Sequence, residues 1–460
     1  MTTLLWFRRD LRLGDQPTIH AALAQSDRVV AVFVRDPRLD EVAGPGRRWY
    51  LTASLSALNE QLDGRLWIAA GDPAAVIPEL ARTLGARSVH ICRDSGPYGR
   101  DRDSLVAAAL RRGDPAVTLH QSGSPYAIEP GTVRKPDGTA YRVFTPFYRA
   151  WCALGWPPPL PSATPTWLPP PPALAAAAAL TAWRAELPPS PAAHVVAGEV
   201  TAIERWRSFR PALVDYRTLR DRPDVNGTSR LSAHLRWGEI HPRTLLDDLT
   251  TAPGDEAFRR EIAWREFYAD VLAGSPDSAR TSLARGWDGM GWDDPRDLAL
   301  LPAWQAGQTG YPMVDAGMRQ LSATGWMHNR VRMIVASFLV KDLHLHWRHG
   351  AAWFMHHLHD GDLASNSHGW QWVAGSGTDA APYYRVFNPV RQGLTFDPDG
   401  EYVRTWVPEL AHLPGPAAHE PWRHPAGAAG GYPERIVDHA QRRALALARY
   451  HAARGRPLPD

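Results

Sequence analysis

The sequence is poor in cysteine, in net charge and in long apolar runs, and each shortage excludes a class of protein. Two cysteines, Cys92 and Cys152, are too few for a disulfide framework or a cysteine-based metal site. We therefore expect no bound metal and a cytoplasmic location. No apolar run approaches the ~20 residues of a membrane helix, so no membrane partner is expected. A net charge of +3 over 460 residues fits a nucleic-acid partner only if basic residues share one face.

Residues 1–128 alternate short apolar runs with amphipathic segments. The runs TLLWF, VVAVFV, LWIAA, SVHIC and AVTLHQ are typical of buried parallel strands. Apolar residues recur at helical spacing in RRWYLTASLSALNEQL, PAAVIPELARTLG and DRDSLVAAALRR. This order predicts a doubly wound α/β domain. The domain contains no G-x-G-x-x-G, so the usual dinucleotide site is not indicated.

The remainder divides into a linker over 129–199 and an all-helical domain over 200–460. The stretch from about 155 to 198 is rich in proline and alanine, including WPPPLP and LPPPPALAAAAAL. It is predicted to be an ordered but irregular surface connector. The pattern then becomes helical almost throughout. The predicted fold class is thus α/β plus all-α.

The segment GTSRLSAHLRWGEIHPR, residues 227–243, predicts a helix that begins near Leu231. Thr228 or Ser229 is expected to cap it. Exposed amides and hydroxyls with Arg230 beside them favour a phosphate site. An ordinary capped helix is the alternative from this segment alone.

The segment FRREIAWREFY, residues 258–268, places Glu261, Trp264, Arg265 and Tyr268 on one helix face. An indole can stack on an unpaired base, a carboxylate can accept its imide N–H, and a guanidinium can meet phosphate. An amphipathic helix with an internal ion pair explains the pattern equally well.

Two further segments carry polar groups. GWMHNRVRMIVASFLVKDL, residues 325–343, becomes an apolar helix after its start. In HDGDLASNSHGWQW, residues 359–372, Asp360 and Asp362 bracket a glycine in a tight turn. The spacing of a calcium-binding EF-hand is missing, and the nearby histidines form no metal motif.

Several motifs together resemble the photolyase/cryptochrome family. They are WFRRDLRLGD near the start, YRVFTPF at 141, GTSRLS at 227, WREFY at 264, GYPMVDAGMRQL at 310, GWMHNRVRM at 325 and DGDLASNSHGWQW at 360. Within the family they are similar to bacterial class I cyclobutane-dimer photolyases. The resemblance implies an α/β antenna domain joined to a helical FAD domain, and light-driven electron transfer from reduced FAD to a flipped-out pyrimidine dimer.

The resemblance also implies an FAD site. Asp360 is expected to pair with Arg332, and Asn366 to lie beside flavin N5, while Phe258 stands where relatives often have tryptophan. The residues that match the FAD site are Tyr216, Thr228, Ser229, Arg230, Leu231, Ser232, Phe258, Arg332, Asp360, Gly361, Asp362 and Asn366.

Three tryptophans match the family's photoreduction chain: Trp370 near the flavin, then Trp347, then Trp292 at the surface. Core indoles are the alternative. Glu261, Asn366 and Met333 match catalytic positions. The positions that match the DNA contacts are Arg220, Glu261, Trp264, Arg265, Asn329, Arg330, Met333 and Gln392.

The antenna region departs from one branch of the family. Folate-binding relatives carry Asn-Glu where this chain has Tyr98-Gly99. The segment PYGRDRD therefore favours 8-hydroxy-5-deazaflavin over methenyltetrahydrofolate, with an empty antenna site as a further alternative. The rival functions are a cryptochrome-type photoreceptor, a (6-4) photolyase and an ordinary flavin oxidoreductase. Asn366 and the sequence His328-Asn329 favour repair of cyclobutane dimers, and we expect a monomer acting on UV-damaged DNA.

Overall fold

The computed structural model describes residues 2–113, 117–189, 196–296, 299–379, 384–427 and 429–453. Its first part is a parallel sheet of six strands in the order β3-β2-β1-β4-β5, with β6 paired to β2. The strands are β1 (Thr2–Phe7), β2 (Arg28–Arg35), β3 (Leu66–Ala70), β4 (Ser88–Ile91), β5 (Thr118–Gln121) and β6 (Thr166–Trp167). The helices between them are α1 (Pro17–Leu23), α2 (Pro37–Val42), α3 (Pro45–Gln61), α4 (Pro73–Leu84) and α5 (Pro97–Gly113).

Both faces of the sheet are buried, as the continuous apolar runs predict. Leu4 and Trp6 of β1 belong to one hydrophobic cluster, and Leu5 and Phe7 belong to another. Successive side chains of a strand point to opposite faces, so each run supplies two cores. The predicted strands and the doubly wound fold are confirmed.

The predicted connector contains regular structure, and the prediction of an irregular segment is wrong in this respect. It includes β6, a 3₁₀ turn (Pro172–Leu174) and α7 (Ala176–Ala185), and α6 (Phe144–Leu154) precedes it within the predicted linker over 129–199. Trp183 of α7 is buried in a core that α3 and the sheet share. Alanine has the highest helix propensity, so the alanine run forms a helix once the prolines end. Residues 190–195 of the predicted connector lie outside the described residues.

From residue 199 onward every described regular element is helical. The α-helices are α8 (Glu199–Phe209), α9 (Leu213–Leu219), α10 (Ser232–Trp237), α11 (Pro242–Asp247), α12 (Pro253–Gly274), α13 (Leu300–Ala306), α14 (Pro312–Thr324), α15 (Asn329–Ser337), α16 (Trp347–His357), α17 (Leu363–Ala374), α18 (Pro389–Phe396), α19 (Glu401–Trp406) and α20 (His439–Ala453). A π-helical turn, Phe338–Asp342, extends α15. In the described part of the chain, no helix is long and apolar enough to span a bilayer. The domain limits themselves stay a prediction.

Polar contacts join the two parts of the molecule beside the predicted flavin turn. Arg9, in the loop after β1, pairs with Asp362 at 2.6 Å. Tyr50 of α3 donates a hydrogen bond to Glu239 (2.9 Å), and the guanidinium of Arg47, on the same helix, donates to the carbonyl of Met355 (3.0 Å). The α/β domain therefore holds the turn that carries Asp360 and Asp362.

Candidate active site

A cavity of about 490 Å³ lies among α12, α15, α16, α17 and the segment from α9 to α10. Its volume is in the range of pockets that enclose small ligands. The predicted residues that line it are Tyr216, Arg220, Ser229, Leu231, Ser232, Phe258, Glu261, Trp264, Arg265, Asn329, Arg330, Arg332, Met333, Asp360, Gly361, Asp362, Asn366 and Trp370. The predicted residues outside this lining, all described, are Thr228, Arg230, Trp292, Trp347 and Gln392.

The predicted phosphate segment, residues 227–243, lacks the expected side-chain cap at the start of its helix. Helix α10 begins at Ser232, and no side chain caps it. The Ser229 hydroxyl instead accepts a hydrogen bond from the backbone N–H of Leu231 (3.4 Å). Arg230 has a positive φ of 52°, and its guanidinium lies over the Trp326 ring at 4.7 Å. The turn bends before the helix, so the prediction of a Thr228 or Ser229 cap is wrong.

The acidic turn is held by ion pairs. Arg332 contacts Asp360 at 2.8 Å, which confirms the predicted pair. Burial would raise the pKa of Asp360, but the Arg332 charge and hydrogen bonds keep that pKa below its usual value. Asp362 caps α17 by accepting from the Ser365 N–H (3.0 Å). Burial likewise opposes ionisation of Asp362, but the charge of Arg9 holds its pKa far below the usual value.

The cavity wall contains polar atoms without a protein partner. The Asp360 Oδ1 atom and the Arg236 Nη1 atom are buried and accept or donate no hydrogen bond within the described residues. Buried polar atoms are normally satisfied, so such atoms fit a site that takes a polar ligand. Asn366 also faces the cavity, and its Nδ2 donates to the Ala351 carbonyl at 2.9 Å. These residues fit a bound FAD.

The predicted face of α12 is confirmed. Glu261, Trp264, Arg265 and Tyr268 all line the cavity. Glu261 pairs with Arg220 at 2.5 Å. Burial raises the pKa of Glu261, although the Arg220 charge opposes the rise. This arrangement presents a carboxylate and an indole side by side.

Trp264 packs against α6, which lies in the predicted linker. Its ring stacks on Phe144 of α6 with centroids 3.8 Å apart and planes 5° apart. Phe144 is 4% exposed. The stack fixes the plane of the indole, and its lining position leaves it accessible from the cavity.

The arginines predicted to meet DNA have partners within the protein. Arg330 pairs with Asp221 at 2.9 Å and lies over the Phe396 ring at 4.3 Å. Arg265 donates to the carbonyls of Pro125 (2.9 Å) and Leu235 (3.1 Å). A DNA phosphate would therefore compete with these partners.

Of the three predicted electron-transfer tryptophans, Trp370 lines the cavity, whereas Trp347 and Trp292 lie outside its lining. A Cβ at Gly350 would lie 2.0 Å from the Trp370 ring, so glycine allows α16 this close approach. Trp347, three residues before Gly350, is 1% exposed. The His346 ring lies 5.6 Å from Trp347 and 5.3 Å from the partly buried Trp292. The order is consistent with a path, but electron transfer stays a prediction.

Sequence reasoning missed several cavity residues. Ser365, Gly369 and Trp372 follow Asp362 at intervals of three and four on α17, so helical periodicity could have found them. Arg236 similarly follows Ser232 by four residues on α10. Asp221 gave no comparable signal. In the described residues, no group of three or more His, Cys, Asp or Glu side chains is placed to hold a metal.

Comparisons with known proteins agree with this geometry. Residues 3–166 match the DNA photolyase family, and residues 258–452 match the FAD binding domain of DNA photolyase. The chain is 38% identical to the deoxyribodipyrimidine photo-lyase of Vibrio cholerae, with 98% of this chain and 100% of the relative covered.

Solved structures show the same fold. A class III photolyase from Agrobacterium tumefaciens is 38% identical with a TM-score of 0.89, covering 99% of this chain and 98% of that one. An archaeal photolyase from Sulfolobus tokodaii, with two FAD molecules, is 29% identical with a TM-score of 0.84, covering 98% and 100%. The resemblance to class I in particular stays a prediction. This chain belongs to the photolyase/cryptochrome family.

Proposed function

We propose that the protein is a light-driven DNA repair enzyme that splits cyclobutane pyrimidine dimers. The single observation that carries the proposal is that one cavity is lined by both the predicted flavin residues and the predicted DNA residues. A cofactor and two covalently joined pyrimidines, flipped out from one DNA strand, would then meet in the same cavity. Photolyases extrude their target from the stack, and a damaged base costs least to extrude.

The acidic turn and the α10 segment would hold FAD. Asp360, fixed by Arg332, and the unpartnered Arg236 Nη1 offer polar groups to it. Bound there in its reduced form, FAD would be the light-driven donor of one electron to the dimer and would take that electron back, so the repair would involve no net redox change. Asn366 offers an amide, which does not readily give up a proton, and its bond to Ala351 holds it in place.

The α12 face would receive the dimer. Trp264 offers a stacking surface, worth ~1–3 kcal/mol for a base on an aromatic ring. Glu261 offers a carboxylate to the pyrimidine imide N–H. Apolar Met333 lines the same cavity. Together these side chains favour repair over a signalling role without substrate, and the sequence His328-Asn329 favours a cyclobutane dimer over a (6-4) product.

A second chromophore in the α/β domain is part of the proposal, and we favour 8-hydroxy-5-deazaflavin. Tyr98 donates a hydrogen bond to Asp36, and Arg102 lies 5.7 Å from the Tyr98 ring. A Cβ at Gly99 would lie 2.2 Å from the Asp94 carboxyl carbon, so the glutamate of the folate branch does not fit without a shift. An absorption spectrum of the purified protein distinguishes deazaflavin, folate, a second FAD and no antenna. We also expect a cytoplasmic monomer, which gel filtration with light scattering and cell fractionation check.

Repair in light and dark tests the main proposal. Oligonucleotides that contain one cyclobutane thymine dimer are incubated with reduced protein, with a (6-4) oligonucleotide in parallel. We expect loss of the dimer under blue or near-ultraviolet light only. Equal loss in darkness, or repair of the (6-4) lesion alone, would refute the proposal.

A further inference from the structure

Two acid–arginine pairs lie side by side in the cavity wall. Arg220 contacts Glu261 at 2.5 Å, and Arg330 contacts Asp221 at 2.9 Å. Asp221 follows Arg220 directly in the chain, and all four residues line the cavity. Their side chains are between 19% and 33% exposed, so water screens the pairs only in part. Two arginines predicted to meet phosphate thus belong to a cluster with no net charge.

A bound dimer would provide a hydrogen-bond donor to Glu261 but none to Asp221. Glu261 has a partner in the proposed complex, because an imide N–H can replace part of its contact with Arg220. Asp221 gains no donor in that account, so it opposes every phosphate that approaches Arg330. Phosphate contacts supply essentially all of the affinity for undamaged DNA, whereas stacking in the cavity adds affinity for a dimer. A weaker contact between Arg330 and phosphate therefore removes a larger share of the affinity for undamaged DNA than of the affinity for dimer DNA.

We infer that Asp221 is a specificity-determining residue, which holds Arg330 away from DNA phosphates and so lowers binding to undamaged DNA. The inference rests on the proposed function, because it assumes that the cavity receives a dimer. It assigns Asp221 no direct part in the chemistry. It predicts that removing the Asp221 charge lowers the ratio of the affinity for dimer DNA to the affinity for undamaged DNA.

The test is Asp221→Asn, with Asp224→Asn as the matched control. Asp224, three residues after Asp221, pairs with Arg222 and lies outside the cavity lining, and both variants raise the net charge by one. Undamaged and dimer-containing duplexes are titrated in darkness between 50 and 200 mM salt. One added phosphate contact should steepen the salt dependence for undamaged DNA by about 0.9 in log–log slope. Over this fourfold range, Asp221→Asn should lose about 3.5-fold more affinity than wild type.

We expect Asp221→Asn to bind undamaged DNA more tightly than wild type at 50 mM salt, with a smaller preference for dimers. Asp224→Asn should behave as wild type, and Asp221→Asn should have no effect in an Arg330→Gln background. An unchanged slope for Asp221→Asn, or equal changes in both single variants, overturns the inference. A wild-type protein that shows no preference for dimer DNA would instead overturn the proposed function. Equal thermal unfolding midpoints confirm that the variants are folded.

Discussion

Trp347→Phe separates an electron-transfer route from a structural indole. Trp347 is 1% exposed, and its Nε1 donates to the Ser282 hydroxyl at 3.2 Å. Losing that bond costs about 0.5–1.5 kcal/mol, and the smaller phenyl ring leaves unfilled space in the core that costs about 1 kcal/mol more. The expected sum of roughly 2 kcal/mol is smaller than the 5–15 kcal/mol that stabilises a typical domain. The variant should therefore fold and retain FAD.

The assay follows flavin absorbance in the oxidised protein under blue light with an external reductant. We expect photoreduction to slow severely, while repair by chemically reduced protein persists. Trp304→Phe is the matched control, because Trp304 is also buried and its indole donates to the Val335 carbonyl. Its ring packs edge-on against the Trp370 ring, with ring centroids 6.2 Å apart. The reasoning is wrong if Trp347→Phe photoreduces at the wild-type rate, or if Trp304→Phe slows it equally.

Two further predictions concern substrate binding and pH. Trp264→Ala should weaken dimer-DNA binding by ~1–3 kcal/mol. Phe144→Leu should weaken it less, and Phe147→Leu, in the same core without a stack on Trp264, should leave it unchanged in filter-binding titrations. Burial raises the pKa of Glu266 to about 7, so the folded protein binds the extra proton between pH 4.5 and 7. As the pH rises from 4.5 to 7, the free energy of unfolding should therefore fall by roughly 3 kcal/mol, and thermal unfolding measures this fall. Glu266→Gln should abolish this pH dependence. An unchanged pH dependence in Glu266→Gln would show that Glu266 does not cause it.

Local periodicity in the sequence determined the secondary structure and the composition of single faces. The five long strands, the doubly wound order and the α12 face that carries Glu261 and Trp264 were predictable, because a strand repeats every two residues and a helix every 3.6. Assigning these residues to flavin and DNA required the family resemblance. Periodicity alone left the core and the ligand site as equal alternatives.

Only the tertiary structure decided which groups neutralise one another. Arg9 and Asp362 are 353 residues apart in the chain, yet they form an ion pair. Phe144, in a segment predicted to be a linker, stacks on the Trp264 ring, and Asp221 forms an ion pair with Arg330. Such contacts depend on how distant elements pack, which no local spacing records. Side-chain type and periodicity are local properties of the chain, whereas partner, burial and net charge at a site exist only once the chain is folded.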